Sequence, residues 1–319
     1  MTDGSDVDAA TGPGAEDRVD GGVGGGPGEA YPPPVHVLRD LGLDVEVLDG
    51  GMTRGRLAAR VAPRDDAGAL VPFGVVSTAV DILAGAVCGR AIAPDWMATS
   101  VMSLHLGDVV ADREVVLDAA VLRAGRSSVT VEVEVTQGDP VGSALLTFSR
   151  LPRRATTLVL PDAGGAPGDR YGFGALDAAS GRIAAGIDGF DAAIGCRPDA
   201  GDPTRLEADV SPYVRNSFGA VNGGVVAAVA DAAGRHVAER TVGGAGAGAP
   251  GGTVAWRTLD LTANLLGQGR HGPMTTTARV LRSAAPSCAV RVEVADAGQF
   301  DDTGSPRLMA IAHVVLGPA

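Results

Sequence analysis

The chain has 319 residues, of which 45% are apolar and only 3% aromatic, so its cores must be built from Val, Leu and Ala. Its net charge of −12 argues against nucleic acid or an anionic membrane surface as a bulk partner. Three cysteines, Cys88, Cys196 and Cys288, have no metal or redox spacing, which favours small buried hydrophobes in a reducing compartment. We therefore expect about two domains in a cytoplasmic protein.

The first folded unit is predicted to begin after a Gly/Pro/Asp-rich tail. Residues 1–34 have too few apolar side chains to fold and lack the apolar core of a signal peptide, so we expect disorder there. The first unit spans residues 35–154 and opens with a short helix. Its other predicted elements are strands Leu43–Leu48 and Gly55–Val61, helix Val75–Ala93, and strands Thr99–Leu106, Glu114–Ala124, Ser127–Gln137 and Ser143–Leu151.

Period-two alternation in these strands predicts an antiparallel sheet with one apolar face. The helix is apolar almost all round, so we expect the sheet to enclose it. No apolar stretch is both long enough and free enough of charge to predict a membrane span.

The second unit is predicted to repeat this order after a turn-rich linker at residues 155–186. A short helix within Ser180–Phe190 leads into the unit, which spans residues 187–319. Its predicted elements are two strands, helix Gly224–Thr241, and strands Trp256–Leu266, Met274–Arg282, Cys288–Asp296 and Arg307–Leu316.

The two units are similar in sequence as well as in order. The stretch Asn216–Asp231 has a degraded copy at Asp66–Asp81, at a constant offset of 150. Val121–Val135 aligns with Val280–Val294 at an offset of 159, and the nine extra residues fit the low-complexity run Gly243–Gly252. Self-similarity over this distance predicts a tandem duplication of a whole domain.

A motif in the second unit resembles a known family. Asn216, the run Asn222-Gly223-Gly224 and Asp231 are similar to the signature of the PaaI-like acyl-CoA thioesterases of the hotdog superfamily, which is Asn, then His-Gly-Gly, then Asp. Asn222 stands where that family has His, and Pro72-Phe73-Gly74 occupies the corresponding place in the first unit. The resemblance implies an α+β double hotdog, each half a long helix wrapped by a curved antiparallel sheet.

The residues of this motif suit thioester hydrolysis. The start of a helix presents unpaired N–H groups and a partial positive charge. Gly223 and Gly224 lack a Cβ, so a carbonyl oxygen can approach these amides, and Asn216 can add a side-chain donor. Asp231 is a plausible general base for water. We expect no metal or other cofactor, since the sequence contains no metal-ligand cluster and no phosphate-binding Gly-Lys loop.

Helix geometry predicts that each site uses both units. Gly223 and Asp231 are eight residues apart, which is roughly 12 Å along one helix, so one thioester cannot contact both. Each Asp must therefore work with the helix start of the other repeat. The prediction is two mixed sites, one formed by Asn216, Gly223, Asp81 and Thr99, and a poorer one formed by Asp231, Thr258, Phe73 and Gly74.

Three arginines are candidates for binding the substrate. Arg123, Arg126 and Arg282 either bind the CoA phosphates or are solvated residues at the ends of strands.

The alternatives to hydrolysis are non-catalytic acyl-CoA binding or a structural role, and enoyl-CoA hydration by Asp231 and His236. We expect acyl-CoA as the ligand, no nucleic-acid or membrane partner, and leave further self-association of the chains open.

Overall fold

The structure is a computed structural model that describes residues 31–59, 70–151, 165–173, 181–183, 187–242, 255–284 and 286–319. The predicted tail up to residue 30, much of the predicted linker at 155–186, and the low-complexity run at 243–252 lie outside the described residues, as does the start of the repeat copy at 66–69.

The described residues of the first half form two helices and six strands. These are α1 (Val37–Leu41), β1 (Leu43–Val47), β2 (Thr53–Leu57), α2 (Phe73–Ile92), β3 (Trp96–Leu106), β4 (Val115–Ala124), β5 (Ser128–Gln137) and β6 (Asp139–Leu151), with a short 3₁₀ helix at Asp49–Gly51. A further strand, β7 (Arg170–Gly172), lies in the segment expected to be a linker and pairs with β1.

The second half repeats the pattern. It contains α3 (Ile187–Ala193), β8 (Arg197–Pro198), β9 (Leu206–Ala208), α4 (Gly223–Val242), β10 (Trp256–Leu265), β11 (Met274–Ala284), β12 (Ser287–Phe300) and β13 (Pro306–Pro318).

All the described strands form one continuous antiparallel sheet. Its strand order is β7-β1-β2-β4-β5-β6-β3-β10-β13-β12-β11-β9-β8. The strand order of the second half is therefore the mirror image of that of the first. The halves meet where β3 pairs with β10, with Leu104 opposite Leu261. Both of these strands have a bulge near their start, at Thr99/Val101 and at Thr258/Asp260. Two long helices against this sheet confirm the predicted double hotdog.

Helix α2 is enclosed, as its composition predicts. Most of its side chains are buried, including the adjacent Val75 and Val76 at 1% and 0% exposure. By length and composition α2 is the one described helix that could cross a membrane, but it lies mostly inside the core, which explains its apolar sequence equally well. Burial on all sides is what removes the usual polar face.

Helices α2 and α4 cross in close contact. A Cβ added to Gly224 would lie 2.5 Å from the Thr78 Cα and 2.7 Å from the Ser77 carbonyl oxygen, so only glycine permits this approach. The Ser77 hydroxyl donates to the Gly224 carbonyl at 3.2 Å, which ties the helices together. The start of α4 is therefore fixed against the second turn of α2.

Some element bounds differ from the predictions for local reasons. Strand β6 begins at Asp139 because Gly138, at φ 86°, closes a tight turn that pairs Gln137 with Asp139 directly. Strand β2 ends at Leu57, where its partner β4 starts at Val115. The short helix expected within 180–190 is α3, which begins later in the chain.

Candidate active site

The side chain of Asp81 lies at the start of the helix of the other half. The Gly224 N–H donates to Asp81 Oδ2 at 2.9 Å, and the Thr99 hydroxyl donates to Asp81 Oδ1 at 2.7 Å. A Cβ added to Gly223 would lie 3.0 Å from Asp81 Oδ2, so glycine there leaves room for the carboxylate. The structure thus brings Asp81 and Thr99 of the first half together with Gly223 and Gly224 of the second.

The environment of Asp81 perturbs its acidity. The side chain is buried, and this desolvation raises the pKa of Asp81 above its ordinary value. The hydrogen bonds from Thr99, Gly224 and Gly223 stabilise the carboxylate and oppose that rise, but burial outweighs them. A carboxyl group with a raised pKa at a helix start is suited to accepting a proton from water.

Two asparagines shape the chain around the start of α4. The Asn222 carbonyl accepts the first N–H bonds of the helix, from Val225 and Val226, and its side-chain Oδ1 accepts from Gly224 N–H at 3.0 Å. Asn222 is therefore the N-cap, a position where Asn is favoured. At the position where the PaaI-like signature has His, this chain therefore has a residue that caps the helix.

The described hydrogen bonds of Asn216 lie within the loop before α4. Its Oδ1 accepts from the N–H groups of Phe218 at 2.9 Å and Ala220 at 3.2 Å, and its own N–H donates to the Ala220 carbonyl. These bonds fold the loop before α4. The side-chain oxygen of Asn216 thus organises the loop that presents Gly223, while donation by its amide nitrogen to a thioester carbonyl stays a prediction.

Asp231 has a different set of partners from Asp81. It is buried, and the Thr258 hydroxyl donates to its Oδ1 as Thr99 does to Asp81. Its Oδ2, however, accepts from the Arg235 guanidinium at 3.1 Å instead of from a backbone amide. Arg235 also donates to Asp191 of α3 at 2.7 Å.

This buried cluster fixes the charge of Arg235. Burial disfavours the guanidinium, but the attraction of Asp231 and Asp191 outweighs it and raises the pKa of Arg235 above its ordinary value. Asp231 therefore faces a permanent cation, and its Oδ2 is occupied by that cation. The carboxylate is poorly placed to activate water while Arg235 holds it.

Sequence reasoning missed Arg235 although two signals were present. Arg235 lies four residues after Asp231, which is the spacing of a helical ion pair. At the offset of 150 it aligns with Gly85, so the two Asp residues have different neighbours one helical turn later. The contribution of Asp191 required the tertiary structure.

The expected partners of Asp231 are only partly brought to it. Phe73 and Thr258 line one cleft, which is also bordered by the chain at Leu70–Pro72, by Leu106, Gly107 and Val109, and by Arg235, Trp256 and Arg257. Gly74 is instead covered by the ring of Phe190, since a Cβ there would lie 2.6 Å from that ring. The described hydrogen bonds of Asp231 go to Thr258 and Arg235.

The three candidate CoA-binding arginines are exposed, at two different ends of the sheet. Thr99 and Val129 both pair with Phe148, so the β4–β5 hairpin that carries Arg123 and Arg126 lies at the end where Thr99 is. By the same reasoning, the β11–β12 hairpin carries Arg282 to the end where Thr258 is, because Cys288 and Thr258 both pair with Leu316.

Other titratable groups are engaged elsewhere. His236 Nε2 lies 2.8 Å from the Pro203 carbonyl oxygen, whereas Asp231 bonds to Thr258 and Arg235, so the pair required for enoyl-CoA hydration does not converge. His36 is buried, and its Nδ1 caps α1. In the described part of the chain, no cluster of three or more His, Cys, Asp or Glu could hold a metal ion.

Comparisons with known proteins agree with this architecture. The sequence profile described as "Thioesterase superfamily" matches residues 71–144 and 218–299, one segment in each half. Each segment contains one of the two long helices. None of the curated protein sequences matches the chain.

Solved structures of similar fold cover nearly the whole chain. The tesB protein of Mycobacterium avium subspecies paratuberculosis aligns with a TM-score of 0.52 and 14% identity, over 89% of this chain and 98% of that one. A candidate oleoyl thioesterase from Lactobacillus plantarum aligns with a TM-score of 0.50 and 9% identity, over 88% and 98%. These likenesses concern the fold. The two matching profile segments show that the chain belongs to the thioesterase superfamily, and its fold is a tandem pair of hotdog units.

Proposed function

We propose that this protein hydrolyses acyl-CoA thioesters at a single site formed by Asp81, Thr99 and the start of α4. The observation that carries the proposal is the contact between halves, in which Gly224 N–H donates to Asp81 Oδ2 at 2.9 Å. This contact puts a buried carboxylate of raised pKa beside a helix start, where a thioester carbonyl can be polarised.

The reaction uses these groups in two steps. Asp81, held by Thr99, accepts a proton from water while the water oxygen attacks the thioester carbonyl carbon. Negative charge develops on the carbonyl oxygen, and it is stabilised as the Gly223 and Gly224 N–H groups, which bond to Asp81 in the free protein, pass from the carboxylate that takes up the proton to this oxygen. The C–S bond then breaks, and the proton on Asp81 passes to the leaving CoA sulfur. The products are a carboxylic acid and free CoA.

The second pair, Asp231 and Thr258, does not support the same chemistry. Arg235 occupies Asp231 Oδ2, and α2 is capped by Pro72, which lacks the side-chain oxygen with which Asn222 caps α4. We therefore assign hydrolysis to the first site, although the motif that resembles the family most closely contains Asp231.

The test compares two matched variants, Asp81→Asn and Asp231→Asn. Because Asn cannot accept a proton from water, Asp81→Asn should lower kcat by on the order of 10² or more. Asp231→Asn should cost much less. The measurement is release of CoA thiol from a panel of acyl-CoA esters, followed with a chromogenic thiol reagent, with thermal melts to verify folding of both variants.

Two results would count against the proposal in different ways. If Asp231→Asn abolishes turnover and Asp81→Asn leaves it near wild type, the assignment of the site is wrong although the activity stands. If the wild-type protein releases thiol from no acyl-CoA in the panel, the activity itself is wrong and the non-catalytic alternative takes its place.

A further inference from the structure

The N-terminal part of the first half binds the segment of the second half that leads to the start of α4. We call residues 31–41, which include α1, the strap. The Val37 N–H of the strap donates to the Tyr213 carbonyl at 3.0 Å, and His36 Nε2 lies 2.7 Å from the Arg215 carbonyl oxygen. The first half therefore contacts the second half at the approach to the proposed site as well as at Asp81.

These contacts reach the site through one intervening carbonyl. Between the two carbonyls that the strap binds, the Val214 carbonyl accepts from the Asn222 N–H at 3.0 Å. Asn222 caps α4, and the amides of the next two residues, Gly223 and Gly224, bond to Asp81. A shift of residues 213–215 would therefore move the start of α4 relative to the Asp81 carboxylate.

Both ring nitrogens of His36 are in use, and together they define one neutral form. Nδ1 accepts from the Leu38 N–H at 3.2 Å, so it carries no proton. Nε2 therefore carries the proton and donates it to the Arg215 carbonyl. A second proton would have to bind Nδ1, where it would face the Leu38 N–H. Because the side chain is fully buried, the ring cannot become charged in place without losing this contact.

The ionisable groups around His36 do not offset an added charge. They are Tyr31, Arg39 and Asp40 on the strap, and Arg182, Tyr213 and Arg215 opposite. The guanidiniums of Arg39 and Arg215 donate to backbone carbonyls, and Asp40 Oδ2 accepts from the Tyr213 hydroxyl at 2.7 Å. Burial raises the pKa of Tyr31, so its hydroxyl stays neutral. A proton added to His36 therefore meets the positive charge of Arg39.

The pH range in which the strap is bound follows from these surroundings. Burial lowers the pKa of His36 below its ordinary value, Arg39 adds to this effect, and the bond to Arg215 opposes it without reversing it. Folding thus favours the neutral ring. The contacts of His36 are complete above about pH 6.5, the ordinary pKa of histidine, and are lost as the pH falls through the lowered pKa.

We propose that His36 is a positioning residue and an acid-sensitive switch: the neutral ring holds the strap on residues 213–215 and so sets the start of α4 at Asp81, and protonation releases the strap. The effect on turnover rests on the proposed function, whereas the release itself does not. Helix α3 occupies the equivalent place in the second half, and residues 180–196 around it contain no histidine. The switch therefore belongs to the site that contains Asp81.

Two variants separate the roles of the two ring nitrogens. His36→Gln keeps an N–H donor at about the reach of Nε2 and cannot titrate. His36→Asn keeps an oxygen that can accept from the Leu38 N–H, but its side chain is too short to reach the Arg215 carbonyl. At neutral pH, kcat for an acyl-CoA should fall about tenfold or more in His36→Asn and stay close to the wild-type value in His36→Gln.

The pH profile separates a switch from a merely structural residue. The acidic limb of kcat/KM should be steeper in the wild type, where Asp81 and His36 both take up a proton, than in His36→Gln, where only Asp81 does. His313→Gln is the matched control, because His313 is exposed on the sheet, and its profile should coincide with that of the wild type.

Hydrogen exchange on the full wild-type chain tests the release without turnover and without a variant. After correction for the intrinsic pH dependence of exchange, the amides of Val37 and Asn222 should lose protection as the NMR signal of His36 titrates. The amides of β12 should stay protected over the same range, which distinguishes local release from acid unfolding. In His36→Gln, the amides of Val37 and Asn222 should also stay protected.

The proposal is overturned if these two amides stay protected in the wild type while His36 titrates, or if they lose protection only together with β12. It is also overturned if His36→Asn is as active as the wild type, if folded His36→Gln is as impaired as His36→Asn, or if its acidic limb matches that of the wild type. A protein that hydrolyses nothing but releases the strap as His36 titrates would reject the proposed function alone.

Discussion

Asp81 and Asp231 occupy equivalent positions, and each accepts a hydrogen bond from an equivalent threonine. Their chemistry differs because of one neighbour. Four residues after Asp81 the helix has Gly85, which leaves the carboxylate to the backbone amides of α4, whereas four residues after Asp231 it has Arg235. A single side chain one helical turn away thus separates a carboxylate suited to proton transfer from one engaged in a buried ion pair.

The role of Thr99 gives a prediction for the pH dependence of hydrolysis. Activity requires ionised Asp81, so it should fall as the pH drops through the raised pKa of Asp81. The Thr99 hydroxyl stabilises the carboxylate and lowers that pKa, and Thr99→Val removes this bond. The acidic limb of the kcat/KM profile should therefore move to higher pH in Thr99→Val.

The matched control for this change is Thr258→Val, which removes the equivalent hydroxyl beside Asp231. Its acidic limb should coincide with that of the wild type. An unshifted profile in Thr99→Val, or an equal shift in Thr258→Val, would contradict the assignment of Asp81 as the base. The measurement is kcat/KM for one acyl-CoA across the acidic range in both variants and the wild type.

At the scale of elements, the site depends on how closely α2 and α4 cross. Gly223 and Gly224 have separate functions, although they look like one motif in the sequence. Gly223 leaves room for the Asp81 carboxylate, and Gly224 leaves room for the backbone of α2 at Thr78. The crossing and the Asn222 cap together set where the first amides of α4 point.

The crossing predicts opposite effects for two glycine substitutions. Gly224→Ala puts a Cβ 2.5 Å from the Thr78 Cα, so the helices must separate; we expect a loss of about 1–3 kcal/mol in the free energy of unfolding. Gly85→Ala meets only the Met97 methyl at 3.8 Å, and should stabilise the protein by about 0.5–1 kcal/mol because alanine favours the helix. Denaturant unfolding of the two variants measures both, and a neutral Gly224→Ala would show that the crossing is not tight.

At the scale of the molecule, the two halves form one sheet around a pseudo-twofold axis between β3 and β10. The start of α4 contacts Asp81 of α2, so the site that we propose takes residues from both halves. If the halves were separated, β3 and β10 would become edge strands with unpaired backbone groups.

This arrangement predicts complementation between the halves. Residues 35–154 and 187–319, expressed alone, should each lack thioesterase activity, and the second half should be inactive despite its intact Asn-Gly-Gly run. Coexpression should restore activity if the halves assemble as they do in the full chain. The measurement is thiol release by each purified sample, and hydrolysis by residues 187–319 alone would contradict a site that requires Asp81.

Much of the fold could be predicted from the sequence because it depends on local patterns. Alternating apolar residues define the strands, and an apolar helix requires an enclosing sheet. Repetition at offsets of 150 and 159 indicates a duplicated domain, and the helix rise places Asp81 rather than Asp231 with the start of α4. That contact is present in the structure, while its catalytic role stays a prediction.

The difference between the two Asp residues depends on contacts between parts of the chain that are far apart in sequence. The bridge from Arg235 to Asp191 joins two helices, and its effect on Asp231 depends on burial that no spacing reveals. The Cβ-free face of Gly224 matters because another backbone lies against it. Local sequence patterns were thus enough to define which elements form and to pair the two Asp residues by symmetry. Only the packing of side chains between distant elements determined that Asp231 is paired with Arg235 while Asp81 contacts backbone amides of α4. Charge pairing and desolvation depend on neighbours in space, which the sequence does not give.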